Sequence, residues 1–281
     1  AVAILPFKNL SGDVEQAYFV DGMFDELIAR LSRVSRLRIV SRTSASVYRD
    51  TDKSVPEIGA ELGVDYVVEG SVLRAGQRVR TTVQLIDTAS DAHVWADVFE
   101  QSFADIMLLQ SDMSRAIARH IAVALNDDET ASLRAREPVD PAAYDACLKG
   151  LEHFYKLTPA DLDQSLRYFQ HACRVDPHYA RAHAGIAHVW IGRQQMGFVP
   201  TPVATPLAKE AALRAIELNS RLPDGPFIMS LVKAFGEFDV EAAERYMQAA
   251  LSLNPSFAEA RAMYSHELLC LGRFDEARDQ V

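Results

Sequence analysis

The sequence predicts two domains: a mixed α/β domain, in which helices flank a mixed sheet, and an all-α domain of helical repeats. The chain has 281 residues, which is too long for one ordinary domain. Its first half alternates short β-branched runs with helical stripes of apolar residues, the pattern of an α/β domain. Its second half contains a recurrence of 34 residues, which aligns Ala243 with Ala277. We place the α/β domain at residues 1–126 and the helical repeats at residues 127–281.

The first half predicts the element order β-α-β-α-β-β-β-α. Residues 2–6 are aliphatic and β-branched, as in a buried strand, and residues 37–40 form a second such run. Between them, apolar residues spaced three and four apart predict a helix over residues 17–34. A short helix over 56–62 follows, with Ser54 as its N-cap and Gly63 just after its end.

Three alternating runs then predict a meander. The runs cover residues 64–73, 79–86 and 93–99 and are separated by tight turns. In the last run Trp95 and Phe99 share one face, which we expect to pack into the core. A helix over residues 103–125 closes the domain.

These pieces resemble the TolB N-terminal-like domain over nearly all of residues 1–126. One departure is Ser90-Asp91, where that family often has a glycine at the turn. The matching pieces, in order, are Val2-Ala3-Ile4-Leu5-Pro6-Phe7, Asn9-Leu10-Ser11-Gly12-Asp13, Tyr18-Phe19-Val20-Asp21-Gly22, Ser41-Arg42-Thr43-Ser44, the run from Glu61 to Val72, Val79-Arg80, Gln84-Leu85-Ile86-Asp87, His93 and Trp95.

The second half predicts four helix pairs, the last one short. Three of the second helices end in a similar way, at Asp176, Asn219 and Asn254. A proline directly follows two of these three residues, and proline cannot continue a helix. We expect a Pro-rich loop over residues 197–205. The predicted pairs are 142–156 with 163–175, 180–195 with 206–218, 226–235 with 240–253, and 257–271 with 274–281.

This pattern resembles tetratricopeptide (TPR) repeats, most clearly in the third and fourth pairs. The resemblance implies a concave groove, lined by the first helix of each pair, that holds an extended peptide or a partner helix. The alternative is that the α/β domain or further repeats fill part of that groove. Mapping the repeat onto this chain places eight residues toward the groove: Tyr144, Leu151, Arg181, His188, Ile228, Val232, Glu259 and His266.

No catalytic, cofactor or metal site is expected from the motifs. The sequence contains neither a Gly-rich phosphate loop nor a nucleophile elbow. His266-Glu267 begins like a zinc motif, but Cys270 stands where a second histidine is needed. One basic stretch ends at Arg42-Thr43-Ser44, which is interpreted either as a solvated helix end or as an anion pocket past the second strand.

The order of the two domains resembles the C-terminal region of bacterial adenylate/guanylate cyclase-like proteins and of some winged-helix regulators. It implies a non-catalytic regulatory or scaffold module that binds protein, with ligand sensing as an additional option, while the output domain lies upstream. The alternatives are a class III nucleotide cyclase whose catalytic domain is missing here, and a cell-envelope assembly factor. Since the chain begins within an expected strand and ends within an expected helix, we expect it to be a piece of a longer protein.

Charge and hydropathy limit the partners. The net charge is −10, and neither half is positive, which argues against nucleic acid as a partner of this piece. No apolar run is long enough to span a bilayer. Three cysteines without paired spacing fit free thiols. We therefore expect a cytoplasmic location, or alternatively the periplasmic side of an inner-membrane protein, with a homodimer as a further possibility.

Overall fold

The structure is a computed structural model that describes residues 1–121, 127–134 and 139–280. It divides into two compact units. One unit comprises Ala1–Pro138 with Pro255–Ala258, and the other comprises Val139–Asn254 with Glu259–Val281. The sequence predicted a boundary between residues 126 and 127, and residue 126 lies outside the described residues.

The first unit is built on a mixed five-stranded sheet. The strand order is β1-β3-β4-β5, and β2 also pairs with β3. β1 and β2 run parallel to β3, whereas β3, β4 and β5 form the predicted antiparallel meander. The strand predicted at 37–40 is reduced to a single bridge, which joins Ile39 to Val2 of β1. Strand β1 itself has only three residues. The strands are β1 (Val2–Ile4), β2 (Lys8–Asn9), β3 (Tyr66–Ala75), β4 (Arg78–Asp87) and β5 (Ala92–Ser102).

Both turns of the meander use left-handed backbone. Gly76 has a φ of 59° in the first turn, and Asp91 has a φ of 55° in the second. Aspartate tolerates this region better than most side chains do. Asp91 therefore adopts, in the second turn, the left-handed backbone conformation that a glycine would favour.

The described residues of this unit form five α-helices in addition to the sheet. The helices predicted at 17–34 and 56–62 are present, and the one predicted at 103–125 is present up to His120, with residues 122–125 outside the described residues. Helix α2 was not predicted. Helix α3 begins as expected, since Glu57 accepts hydrogen bonds from the backbone N (2.8 Å) and the Oγ (2.6 Å) of Ser54, and it ends at left-handed Gly63. The helices are α1 (Ala17–Leu31), α2 (Arg42–Ser46), α3 (Val55–Leu62), α4 (Ile106–His120) and α5 (Asp127–Arg134).

The core of the first unit lies between the sheet and helices α1 and α4. Phe24 of α1, Met113 of α4 and Val83 of β4 are fully buried there. Trp95 is half-buried and stacks on His120 of α4, with ring centroids 4.8 Å apart. The expected inward face of β5 is therefore only partly covered.

The second unit is helical throughout the residues that the structure describes in it. Its helices match the predicted pairs closely, with one correction. The predicted loop 197–205 is shorter, because α9 already begins at Thr201: Pro202 occupies the first turn, where a proline costs no hydrogen bond, and Pro206 lies inside the helix. The helices are α6 (Pro141–Phe154), α7 (Pro159–Val175), α8 (Ala180–Gln195), α9 (Thr201–Leu218), α10 (Asp224–Leu231), α11 (Val240–Leu253), α12 (Ala258–Cys270) and α13 (Phe274–Arg278), and a π-helical segment (Val232–Glu237) continues α10.

From α6 to α11, each helix packs against the next one along the chain, and α8 also contacts both α6 and α10. Glycines set the closest approaches. The ring of Phe169 on α7 lies where a Cβ on Gly150 of α6 or on Gly185 of α8 would be, at 2.8 and 2.4 Å. Ile216 of α9 lies in the same way 2.6 Å from a Cβ added to Gly225 of α10. Phe169 of α7 and Ile216 of α9 thus each fill a gap that a glycine leaves on a neighbouring helix.

We expect Gly185→Ala to destabilise the second unit by about 1–3 kcal/mol, because the new methyl overlaps the buried Phe169 ring and the core must shift. Urea unfolding followed by Trp190 fluorescence, in a Trp95→Phe background, measures this change.

Gly192→Ala is the matched control on the same helix. Its added methyl would meet Phe154 at 3.3 Å, and alanine has the higher helix propensity. We expect a change below about 1 kcal/mol in this variant. An equal loss in the two variants would contradict the role given to the Phe169 gap.

Candidate functional site

The structure separates the eight predicted groove residues into two groups. Tyr144, Ile228 and Val232 are fully buried, so these side chains belong to the core of the second unit and do not line an open groove. A one-residue error in the mapping rotates a side chain by about 100° around a helix, which is enough to turn a groove residue into a core residue. The remaining five are accessible: Leu151, Arg181 and His188 are half-buried, and Glu259 and His266 are exposed.

The structure instead shows pairs of rings in contact, which we call the ring row; two pairs are stacked and the His188–Phe227 pair is edge-to-face. The ring centroid of His188 on α8 lies 5.2 Å from that of Phe154 on α6 and 5.6 Å from that of Phe227 on α10. Phe235 of the π-helical segment stacks on His266 of α12 at 6.2 Å. Phe227 is buried, whereas Phe154, His188 and Phe235 are half-buried and His266 is exposed. The accessible rings offer apolar area and cation–π contact to a bound chain.

Sequence reasoning missed Phe154 and Phe235. One signal was available for Phe154, because it precedes His188 by 34 residues, which is the repeat period. Phe235 lies in a π-helical turn, and the shift in register there hides its position from a regular helical pattern.

The predicted anion pocket at Arg42-Thr43-Ser44 forms the first turn of the five-residue helix α2. Arg42 Nε donates to Asp25 Oδ1 of α1 at 2.5 Å. The Ser44 backbone N donates to Ser41 Oγ at 3.1 Å, which caps the helix. An anion at this place would have to compete with the carboxylate of Asp25.

A small pocket in the second unit contains a buried acid. The pocket has a volume of about 90 Å³ and lies between the π-helical segment, α11 and α12. Glu267 is only 8% exposed, and its Oε1 is 3.4 Å from Ser230 Oγ, a long hydrogen bond. Burial raises the pKa of the Glu267 carboxyl to about 7. The lining residues are Ala234, Phe235, Val240, Ala243, Glu244, Tyr264, Glu267, Cys270, Leu271 and Arg273.

The other charged groups of this pocket are paired with one another. Glu244 accepts hydrogen bonds from Tyr264 Oη at 2.6 Å and from Arg273 Nη1 at 3.0 and 3.1 Å. Arg273 also binds Glu276 through Nη2 at 2.5 Å. Burial and the bond to Glu244 raise the pKa of Tyr264 to about 12, so its hydroxyl stays protonated as a donor.

Within residues 1–121, 127–134 and 139–280, no group of three or more His, Cys, Asp or Glu side chains has the arrangement of a metal site. His266 Nε2 and Cys270 Sγ approach each other to 3.9 Å, and the three cysteines are free. None of the described helices combines the length and the apolar content needed to cross a bilayer.

The chain is similar to transcriptional regulators and to a protein named as an adenylate cyclase. The family "HilA/YgeH-like transcriptional regulator, second domain" matches residues 1–116. "Putative adenylate cyclase 3" of Rhizobium meliloti (strain 1021) is 32% identical over 234 residues, which are 82% of this chain and 40% of that protein. Transcriptional regulator HilA of Salmonella typhimurium is 25% identical over 134 residues, or 48% of this chain and 24% of HilA. This chain therefore spans less than half the length of either relative.

Two solved structures are similar to part of the chain. TolB from Acinetobacter baumannii aligns with a TM-score of 0.34 and 19% identity, over 45% of this chain and 29% of TolB. Lipoprotein GNA1162 from Neisseria meningitidis aligns with a TM-score of 0.32 and 17% identity, over 44% of this chain and 98% of the lipoprotein.

We expect the Glu267→Gln variant to lose part of the pH dependence of stability. Because the folded-state pKa of Glu267 is about 7 and the ordinary value is 4.5, the folded state holds this proton more tightly. The parent chain should therefore lose about 1–3 kcal/mol of stability as pH rises from 4.5 to 8, and the glutamine variant should not. Urea titrations of Trp190 fluorescence at pH 5 and pH 8, with Trp95 replaced by Phe, measure the difference.

Glu241→Gln serves as the control, because this carboxylate on α11 is 93% exposed. It should show the same pH dependence as the parent chain. If Glu267→Gln also kept the parent's dependence, the Glu267 carboxyl would not be the group that titrates.

Proposed function

We propose that this chain is a non-catalytic regulatory module of a bacterial signalling protein, and that its helical unit binds a protein partner. The observation that carries the proposal is that the chain is similar to proteins named for different outputs. Its first 116 residues match a domain of transcriptional regulators, and 82% of it aligns with a protein named as an adenylate cyclase. A segment shared by proteins with different outputs suits a regulatory role better than a catalytic one.

We further propose that the second unit is a TPR-type array. The support is the 34-residue recurrence, the sequential packing of α6 to α11, and the glycine gaps filled by Phe169 and Ile216. In this proposal the partner lies along the ring row and along the accessible groove residues Leu151, Arg181, His188, Glu259 and His266. An extended peptide or an amphipathic helix fits such a surface.

A second candidate is that the full protein is a class III nucleotide cyclase. The similarity to the Rhizobium meliloti protein favours it. Since the chain aligns with only 40% of that protein, we place the catalytic domain outside the present sequence. The chain would then regulate the cyclase rather than perform its reaction.

The partner surface is tested by photocrosslinking. A photoreactive phenylalanine at His266 should capture one defined protein in cells, because this exposed position lies beside Phe235 on the ring row. The same residue at Arg245, which is 69% exposed on α11, is the control and should capture none.

We expect Arg181→Glu and His188→Ala, combined with the crosslinker at His266, to reduce the capture at least tenfold. The thermal unfolding curve of the chain should stay the same. These substitutions avoid buried Tyr144. Equal capture at positions 266 and 245, or capture that survives the double substitution, would contradict the proposed surface.

The catalytic alternative is tested directly on the purified chain. Incubation with ATP or GTP and Mn²⁺ should produce no cyclic nucleotide above a protein-free blank, measured by mass spectrometry. Turnover that remains after gel filtration and follows the protein peak would show that the chain itself is an enzyme.

A further inference from the structure

The pocket around Glu267 contains a buried acid without a counter-charge. No salt bridge joins Glu267 to a cationic side chain anywhere in residues 1–121, 127–134 or 139–280, and its carboxylate accepts the long hydrogen bond from Ser230. The nearby cation, Arg273, is already shared by Glu244 and Glu276. A buried carboxylate is costly in its ionised form unless a cation pairs with it.

The groups facing Glu267 come from every element around the pocket. Ser230 of α10 donates a hydrogen bond, whereas Glu244 of α11 is negative and further disfavours ionisation of Glu267. Tyr264 lies on the same helix, and its hydroxyl is directed to Glu244. Arg273 precedes α13 and is held by two carboxylates. With Glu267 ionised, three carboxylates share the single cation of this set, Arg273, so Glu267 has no counter-charge among these groups.

The shape of the pocket limits what can supply that charge. Its volume of about 90 Å³ equals the share of roughly three liquid waters, at about 30 Å³ each, or a short aliphatic chain. Phe235, Val240 and Leu271 give it apolar walls, and the Phe235 ring offers a face for a cation. A metal ion is a poor fit, because a hard divalent cation needs about six oxygen ligands.

We propose that this pocket binds a primary ammonium group on a short apolar stem, with the Glu267 carboxylate as its counter-ion. The stem lies against the apolar walls, and the ammonium replaces the proton that Glu267 otherwise holds. Such a group belongs either to a free aliphatic amine or to a lysine side chain of a polypeptide. The pocket shares Phe235 with the ring row, but a small amine tests it without any protein partner.

The test uses the complete chain, n-butylammonium chloride as the probe, and n-butanol as its neutral counterpart. At pH 8 and constant ionic strength, amide chemical shifts of Phe235 and Leu271 should move saturably with n-butylammonium and not with n-butanol. At pH 5.5 the affinity should fall by tenfold or more, because Glu267 is then protonated.

Three variants separate the carboxylate from the cavity. Glu267→Gln should weaken binding at least tenfold, and exposed Glu241→Gln should leave it unchanged. Val240→Trp keeps the carboxylate but fills the mouth of the pocket, since Val240 is a lining residue that is 42% exposed, and it should also abolish binding. Glu267→Gln keeps the side-chain shape, and its unfolding curve confirms that it is folded.

N-acetyl-lysine methylamide then distinguishes the two sources. Binding of both probes assigns the site to a lysine side chain, and binding of n-butylammonium alone assigns it to a free amine. The proposal is overturned if neither probe saturates, if n-butanol binds equally well, or if Glu267→Gln binds as the parent does. None of these outcomes depends on photocrosslinking at His266, so the two proposals fail separately.

Discussion

The close packing of successive helices through glycine gaps is the constraint on which the second unit depends. Phe169 fits between α6 and α8 only because Gly150 and Gly185 carry no side chain, and Ile216 uses Gly225 in the same way. Protein interiors are packed as densely as organic crystals, so an added methyl group has nowhere to go. This spacing brings Phe154, on α6, within ring contact of His188, on α8.

The second unit also buries a polar group among its last helices. α12 contributes Tyr264, Glu267 and Cys270 to one small pocket. The Tyr264 hydroxyl donates a hydrogen bond to Glu244, whereas the Glu267 carboxylate accepts the long hydrogen bond from the Ser230 hydroxyl. A core position occupied by an acid lowers stability, and such exceptions to packing rules tend to occur at functional sites.

In the first unit the basic stretch serves mainly to tie local structure together. Arg30 pairs with Glu26 on α1 at 3.1 Å, Arg42 pairs with Asp25, and Arg38 Nη2 donates to the Gly63 carbonyl at 2.6 Å. The guanidinium of Arg74 lies 4.0 Å from the ring centroid of Phe103. These cations are therefore engaged within the unit, which agrees with a chain whose overall charge is negative.

The sequence by itself determined the mixed α/β class of the first unit, the meander and the positions of most helices, because the periods of 2 and 3.6 residues are local properties of the chain. It also located both ends of α3 from Ser54 and Gly63. Only the tertiary structure decided that Tyr144 is core while His188 stays accessible, and that Arg42 is paired with Asp25, because burial and charge pairing depend on which distant helix lies beside a residue. For the same reason the pocket of Glu267, which is made by segments separated along the chain, was not visible in any single motif.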